Sequence, residues 1–158
     1  MSTLKRPAID PTDVPVVTAT AYPEPFKRRV SGRHRRRLGD AAGLKNFGVN
    51  LVVLDPGSQS ALRHWHAKQD EFIYVLEGDI TLLSDAGRQV LRPGMTAGFP
   101  AGVSDGHCLI NETNGPVKYL EIGDRTPEDV AGYPDDDLAA RMVGDKFVFT
   151  KKDGTPHS

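Results

Sequence analysis

Cysteine is nearly absent from this chain. Cys108 is the only one in 158 residues, which excludes an internal disulfide and any cysteine-rich zinc site. It neighbours His107, so alternation along a strand would turn it to the opposite face, as a small packing residue. Long apolar runs are missing too: none approaches the roughly 18 residues that cross a bilayer. Residues 1–7 have no apolar core of the kind a secretion signal needs. The expected location is therefore the cytoplasm, with no membrane partner. Acid is lacking from one stretch, where Lys27, Arg28, Arg29, Arg33, Arg35, Arg36 and Arg37 occur without a single Asp or Glu. We find no internal repeat and no low-complexity segment.

The net charge of −1 conceals that basic stretch. Taking its seven residues from the 20 basic ones leaves 13 against 21 acids, a balance of −8 for the rest of the chain. A basic stripe suits nucleic acid or phosphate. Only Phe26 interleaves with it, however, and no DNA-binding helix pair is evident, so nucleic acid is disfavoured as a partner. Two other roles are expected: the solvated face of an edge strand, whose charges oppose edge-to-edge aggregation, or pairing with Asp135, Asp136 and Asp137.

What the chain does have is turn chemistry and short apolar segments. With 16 Gly, 12 Pro and 38% apolar residues, it fits a turn-rich β protein, and its length suits one domain. Five prolines (Pro7, Pro11, Pro15, Pro23 and Pro25) deny a helix to residues 1–25, which are expected as an extended arm. Residues 26–30 and 33–38, separated by Ser31-Gly32, suggest a hairpin. Strands are expected over 47–54, 62–66, 71–77, 79–84, 88–91, 95–99, 107–111 and 117–123. Their connections include Asp55-Pro56-Gly57-Ser58, Pro93-Gly94 and Asn114-Gly115-Pro116. Strands at this spacing argue for a sandwich or barrel, placed at 26–150 and followed by a polar tail over 151–158. Residues 126–142 are the one expected helical region, capped at Thr126-Pro127 and interrupted at Tyr133-Pro134. Residues 146–150 return as an edge strand.

The chemistry concentrates in the middle. His64 and His66 stand at i and i+2, so on a strand both imidazoles point the same way, at a spacing that one metal ion can bridge. Glu71 opens the next strand and is a third candidate ligand, with Asp70 its competitor. Alternation separates the two: Glu71 shares a face with Ile73 and Val75, and Asp70 with Phe72 and Tyr74. His107 follows later, in Asp105-Gly106-His107-Cys108. Against this stands the plain reading that a buried histidine is a hydrogen-bonded core residue.

These residues resemble the two motifs of the cupin superfamily, G-x5-H-x-H-x3-4-E-x6-G and G-x5-P-x-G-x2-H-x3-N. Gly57, His64, His66, Glu71 and Gly78 match the first; Gly94, Pro100, Gly102, His107 and Asn111 match the second. Two spacings are longer here, with six residues between Gly57 and His64 and four between Gly102 and His107. Both extensions fall in loops, which absorb insertions. The resemblance covers about a third of the chain. It implies an all-β double-stranded β-helix, the cupin jelly-roll barrel, and His64, His66, Glu71 and His107 as ligands of a divalent transition metal ion. Zn, Mn, Fe and Ni all suit such ligands, and the resemblance does not choose among them. A cupin that keeps the barrel without the metal is the remaining alternative.

Within the superfamily the chain most resembles the sugar-phosphate-isomerase-like proteins, which implies a small polar substrate, such as a phosphorylated sugar, and proton transfer between adjacent carbons. Glu121, on the strand after the second motif, is the candidate base, weighed against a plain surface carboxylate. Arg63 alternates away from the metal and is not the expected phosphate clamp. A non-haem iron dioxygenase and a non-catalytic ligand sensor are the alternative functions. Strands 47–54 and 72–76 are apolar on both faces, whereas a small barrel has one interior. Their outer faces need a cover, and a symmetric homodimer is expected, with the arm contributing.

Overall fold

Turn residues punctuate this chain every few positions, and the β-branched and aromatic runs between them pair as short strands. The computed structural model describes residues 2–157. Its strands are β1 (Val16–Val17), β2 (Arg33–Arg37), β3 (Phe47–Leu54), β4 (Trp65–His66), β5 (Glu71–Glu77), β6 (Ile80–Ser84) and β7 (Gly87–Leu91). They continue as β8 (Thr96–Phe99), β9 (Cys108–Ile110), β10 (Val117–Asp124), β11 (Val130–Gly132), β12 (Ala139–Val143) and β13 (Lys146–Thr150). The six-stranded sheet has the order β1-β2-β3-β10-β5-β8, with smaller sheets β13-β12-β11-β4 and β7-β6-β9. This is the expected jelly-roll barrel.

Register decides what faces inward. β3 and β10 pair along their whole length, from Val117 opposite Leu54 to Asp124 opposite Phe47. On β5, Tyr119 meets Val75, and Val52, Tyr119 and Val75 are all fully buried. Ile80, Leu82 and Leu109 from the three-stranded sheet close the same core cluster. Burying each such side chain contributes about 1.5–3 kcal/mol. A second cluster, Leu62, Ala131, Tyr133, Leu138 and Ala140, lies at the other end, where Tyr22, Phe26, Phe147 and Phe149 pack on it. The outward residues of β5 stay partly exposed, with Phe72 and Tyr74 at 39% and Leu76 at 37%. Gly78 ends this strand at φ 76, where a Cβ would sit 3.0 Å from the Val117 side chain, so glycine is required on both counts.

Three local expectations need correction. Residues 26–30 are not a hairpin strand but a 3-10 helix, Phe26–Val30, entered from Pro25. The amides of Phe26 and Lys27 both donate to the Pro23 carbonyl, a turn that seats Phe26 against the second core cluster. Residues 126–142 hold no helix: β11 pairs with β4 and β12 there. The cap-like Thr126-Pro127 is a local preference, and strand pairing overrides it. Finally, β2 is not an edge strand, because β1 covers it on one side and β3 on the other. Its Arg36 donates to the Val14 carbonyl of the arm. The proposed acidic partner is present for Arg29, which meets Asp136 at 2.7 Å.

Candidate metal centre

β4 ends in His66 and β5 begins with Glu71, so a four-residue loop brings imidazole and carboxylate together. His64 precedes β4 and bridges to His107, each amide donating to the other's carbonyl, at 3.1 and 2.8 Å. That bridge joins the two motifs across the barrel. Glu71 Oε2 lies 2.7 Å from His107 Nε2 and 3.6 Å from His64 Nε2, and Oε1 lies 3.4 Å from His66 Nε2. All three Nε2 atoms therefore converge on one carboxylate. His64, His66 and Glu71 offer ligand atoms within 4.8 Å of one another, and His107 joins them through Glu71.

Two of the rings are locked by their far nitrogens. His64 Nδ1 donates to the Leu62 carbonyl at 2.7 Å, and His66 Nδ1 donates to Asp129 Oδ2 at 2.5 Å. A ligating histidine needs such a partner, because a proton on Nδ1 leaves the Nε2 lone pair free. Asp129 is fully buried, and its Oδ1 accepts from the Lys68 amide at 2.8 Å. Phe99 stacks on the His107 ring at 3.5 Å and 4°, and Tyr133 stacks on His64 at 5.8 Å. His107 Nδ1 is buried without a partner. Three imidazoles with two imposed tautomers and one carboxylate fit a divalent transition ion, with no soft ligand that would select Cu(I).

The electrostatics show what the cluster does without an ion. Burial pushes the Glu71 carboxyl up, but hydrogen bonds from His107, His64 and His66 outweigh it and hold the group well below its usual range. Burial lowers His66, yet Glu71 and then Asp129 more than compensate and raise it to about 9. Burial lowers His107 despite its bond to Glu71, and the neighbouring His64 and His66 add to the effect.

Beside the cluster lies a cavity of about 250 Å³, reached by His64, His66 and Glu71 and walled by Arg33, Arg35 and Tyr133. Glu121 also lines it, pairing with Ile73 on the inner face of the sheet, and its Oε2 accepts from the Asn50 amide at 3.0 Å. A smaller cavity of about 70 Å³ meets His66, Glu71 and His107 from the side of Trp65, Phe99 and Val103.

The structure thus brings His64, His66, Glu71 and His107 together and places Glu121 in the adjoining cavity. Asp70 is elsewhere, its Oδ1 accepting from the Ala101 amide at 2.7 Å. Arg63 faces Asp135 and Asp85 at the surface. Cys108 is buried, and burial pushes its thiol up to about 11. Asn111, from the second motif, donates to the Leu54 and Gly115 carbonyls and so braces a loop. Sequence reasoning missed Asp129, Tyr133, Arg33 and Arg35. The first two sit in the segment expected to be helical, and the two arginines were expected among the charges of an edge strand.

Comparison with known proteins bears on the family and the fold. Residues 50–123 match the cupin domain family. The chain is similar to a sugar phosphate isomerase of the cupin superfamily from Silicibacter pomeroyi, at 43% identity and a TM-score of 0.93, covering 96% of this chain and 97% of that one. A putative sugar phosphate isomerase from Acidithiobacillus ferrooxidans is similar at 28% identity and TM-score 0.72, covering 81% and 83%. The polyketide cyclase RemF from Streptomyces resistomycificus, at 22% identity, TM-score 0.62 and coverage of 77% and 79%, shares the fold. None of the curated proteins compared matches the chain.

Proposed function

The chain belongs to the cupin superfamily, and we propose that it is a metal-dependent isomerase of a small phosphorylated sugar. One observation carries the proposal: the histidine–carboxylate cluster opens onto the same cavity as Glu121, so metal ligands and a candidate base face one substrate space. The similarity to a sugar phosphate isomerase supports the choice of substrate.

His64, His66, Glu71 and His107 would hold the ion. A bound divalent ion supplies a Lewis acid that polarises a substrate carbonyl or hydroxyl. Glu121 would take a proton from the carbon beside the carbonyl and return it to the former carbonyl carbon, while the hydroxyl proton passes to the former carbonyl oxygen. Asn50 holds one of its oxygens, and among the described residues the other has no protein donor. Tyr22, Phe147 and Phe149 border the cavity and limit water around the enediol-like intermediate. The outward apolar residues of β5 motivate a second element of the proposal, a symmetric homodimer that covers them.

The test is metal analysis of protein purified without added metal, followed by incubation with sugar phosphates in deuterium oxide. Metal-dependent deuterium incorporation at a carbon next to the carbonyl, lost in Glu121→Gln, supports the proposal. Iron with O₂ uptake and no proton exchange would point instead to a dioxygenase, and tight ligand binding without turnover to a sensor.

A further inference from the structure

The inner face of β2 carries two arginines where a barrel ordinarily keeps apolar side chains. Arg33 pairs with Leu54 and Arg35 with Val52, and both partners are fully buried. Cross-strand partners share a face, so both guanidinium groups enter the barrel, and both line the cavity beside the histidine cluster. Arg33 is only 8% exposed.

Neither cation has a direct ion-pair partner among the described residues. Arg29, Arg63, Arg88 and Arg125 each meet an Asp or Glu. Among the described residues, Arg33 and Arg35 have no carboxylate within ion-pairing distance. Arg33 gives Nη1 to the Ser60 carbonyl, and Arg35 gives Nη2 to the Ala19 carbonyl at 3.4 Å. The buried Nε of Arg35 has no partner. A guanidinium carries five N–H donors and does not shed its charge, so most of this donor capacity is unused. Burial, and then the charge of Arg33, lower the pKa of Arg35, with Glu121 opposing them. Two like charges on one cavity wall with no carboxylate paired to them directly are costly. Glu121, which lines the same cavity, accepts from Asn50 rather than from either arginine, so donors at that wall stay open to an anion.

We propose that Arg33 and Arg35 form an anion subsite that binds the phosphate group of the substrate and orients its reacting carbons toward His64, His66 and Glu71. Two planar forks match the oxygens of a phosphate monoester better than those of a single carboxylate. The monoester is also close to a dianion at neutral pH, since its second pKa is about 6, which suits two cations. Thr20, Ala21 and Tyr22 of the N-terminal arm border the same cavity, so the arm completes its wall. The inference rests on reading this cavity as the substrate site.

Calorimetric titration with inorganic phosphate tests it, on both the metal-loaded and the chelator-treated protein. Glycerol 3-phosphate and glycerol serve as a pair differing only in the phosphate. The expected result is phosphate binding in both forms of the protein and preference for glycerol 3-phosphate over glycerol. Arg35→Gln weakens phosphate affinity about tenfold or more without changing metal content, because a charged hydrogen-bonded contact is lost. Arg35→Lys, which keeps the charge but loses the fork, recovers part of the affinity and serves as the folded control if Arg35→Gln is unstable. Unchanged phosphate affinity in Arg35→Gln overturns the assignment, as does binding that vanishes with the chelator yet is untouched by either Arg35 variant. Failure of the isomerase reading looks different: no proton exchange with any sugar phosphate, while the phosphate titrations keep their dependence on Arg35.

Discussion

Asp129 offers the sharpest test of the metal centre, because it touches none of the proposed ligand atoms and reaches the cluster through His66 Nδ1. Its Oδ1 is fixed by the Lys68 amide at 2.8 Å, and its Oδ2 receives the His66 Nδ1 proton at 2.5 Å. In Asp129→Asn the amide oxygen keeps the Lys68 contact, since a backbone N–H needs an acceptor, and the NH₂ group is turned toward His66. The imidazole must then accept at Nδ1 and carry its proton on Nε2, the atom presented to the metal. Losing such a partner typically weakens metal binding 10–100-fold, about 1.4–2.7 kcal/mol. The assay is competition with a chromogenic chelator at pH 9, the upper end of the range over which protons on His66 compete, with the thermal midpoint of the metal-free variant as a control on folding. A variant that folds normally and binds metal as tightly as the parent at pH 9 would refute the assignment of His66 Nε2 as a ligand atom.

Five further outcomes are expected. Glu71→Gln weakens metal binding whereas Asp70→Asn changes it little, and affinities in the opposite order would mean that Asp70, not Glu71, is the ligand. His66 in the metal-free protein holds its proton up to about pH 9, so metal affinity should rise about tenfold per pH unit from pH 7 and level near pH 9. The same raised pKa stabilises the metal-free fold fully below about pH 6.5, and that stabilisation disappears as the pH climbs through 9; thermal midpoints measured with chelator should fall across this window, and a flat profile would count against it. Gly132→Ala places a Cβ 2.4 Å from Trp65 Nε1, so the sole tryptophan must move, with a shifted fluorescence emission and weaker metal binding through the adjacent His66. Light scattering should return the mass of a dimer, and a monomer at micromolar concentration would leave Phe72, Tyr74 and Leu76 uncovered.

Much of this molecule was legible in local chemistry. β3, β5 and β13 appear with the expected bounds, because alternation, β-branched content and flanking turn residues are properties of neighbouring positions. His64 and His66 share a face for the same reason, and the period of two separates Glu71 from Asp70. The resemblance to cupin motifs added His107, which lies 36 positions from Glu71 yet within hydrogen-bonding distance of it. The tertiary structure alone decided the rest. Local signals favoured a helix at 126–142, and only pairing with β4 and β12 makes β11 a strand and carries Asp129 to His66. The basic stretch likewise offers charge but no register. Pairing with Leu54 and Val52 turns Arg33 and Arg35 into the barrel, and Arg29 leaves for Asp136. Periodicity says which residues of a strand share a face, but which face is buried, and what it meets there, depends on strands far away in the chain.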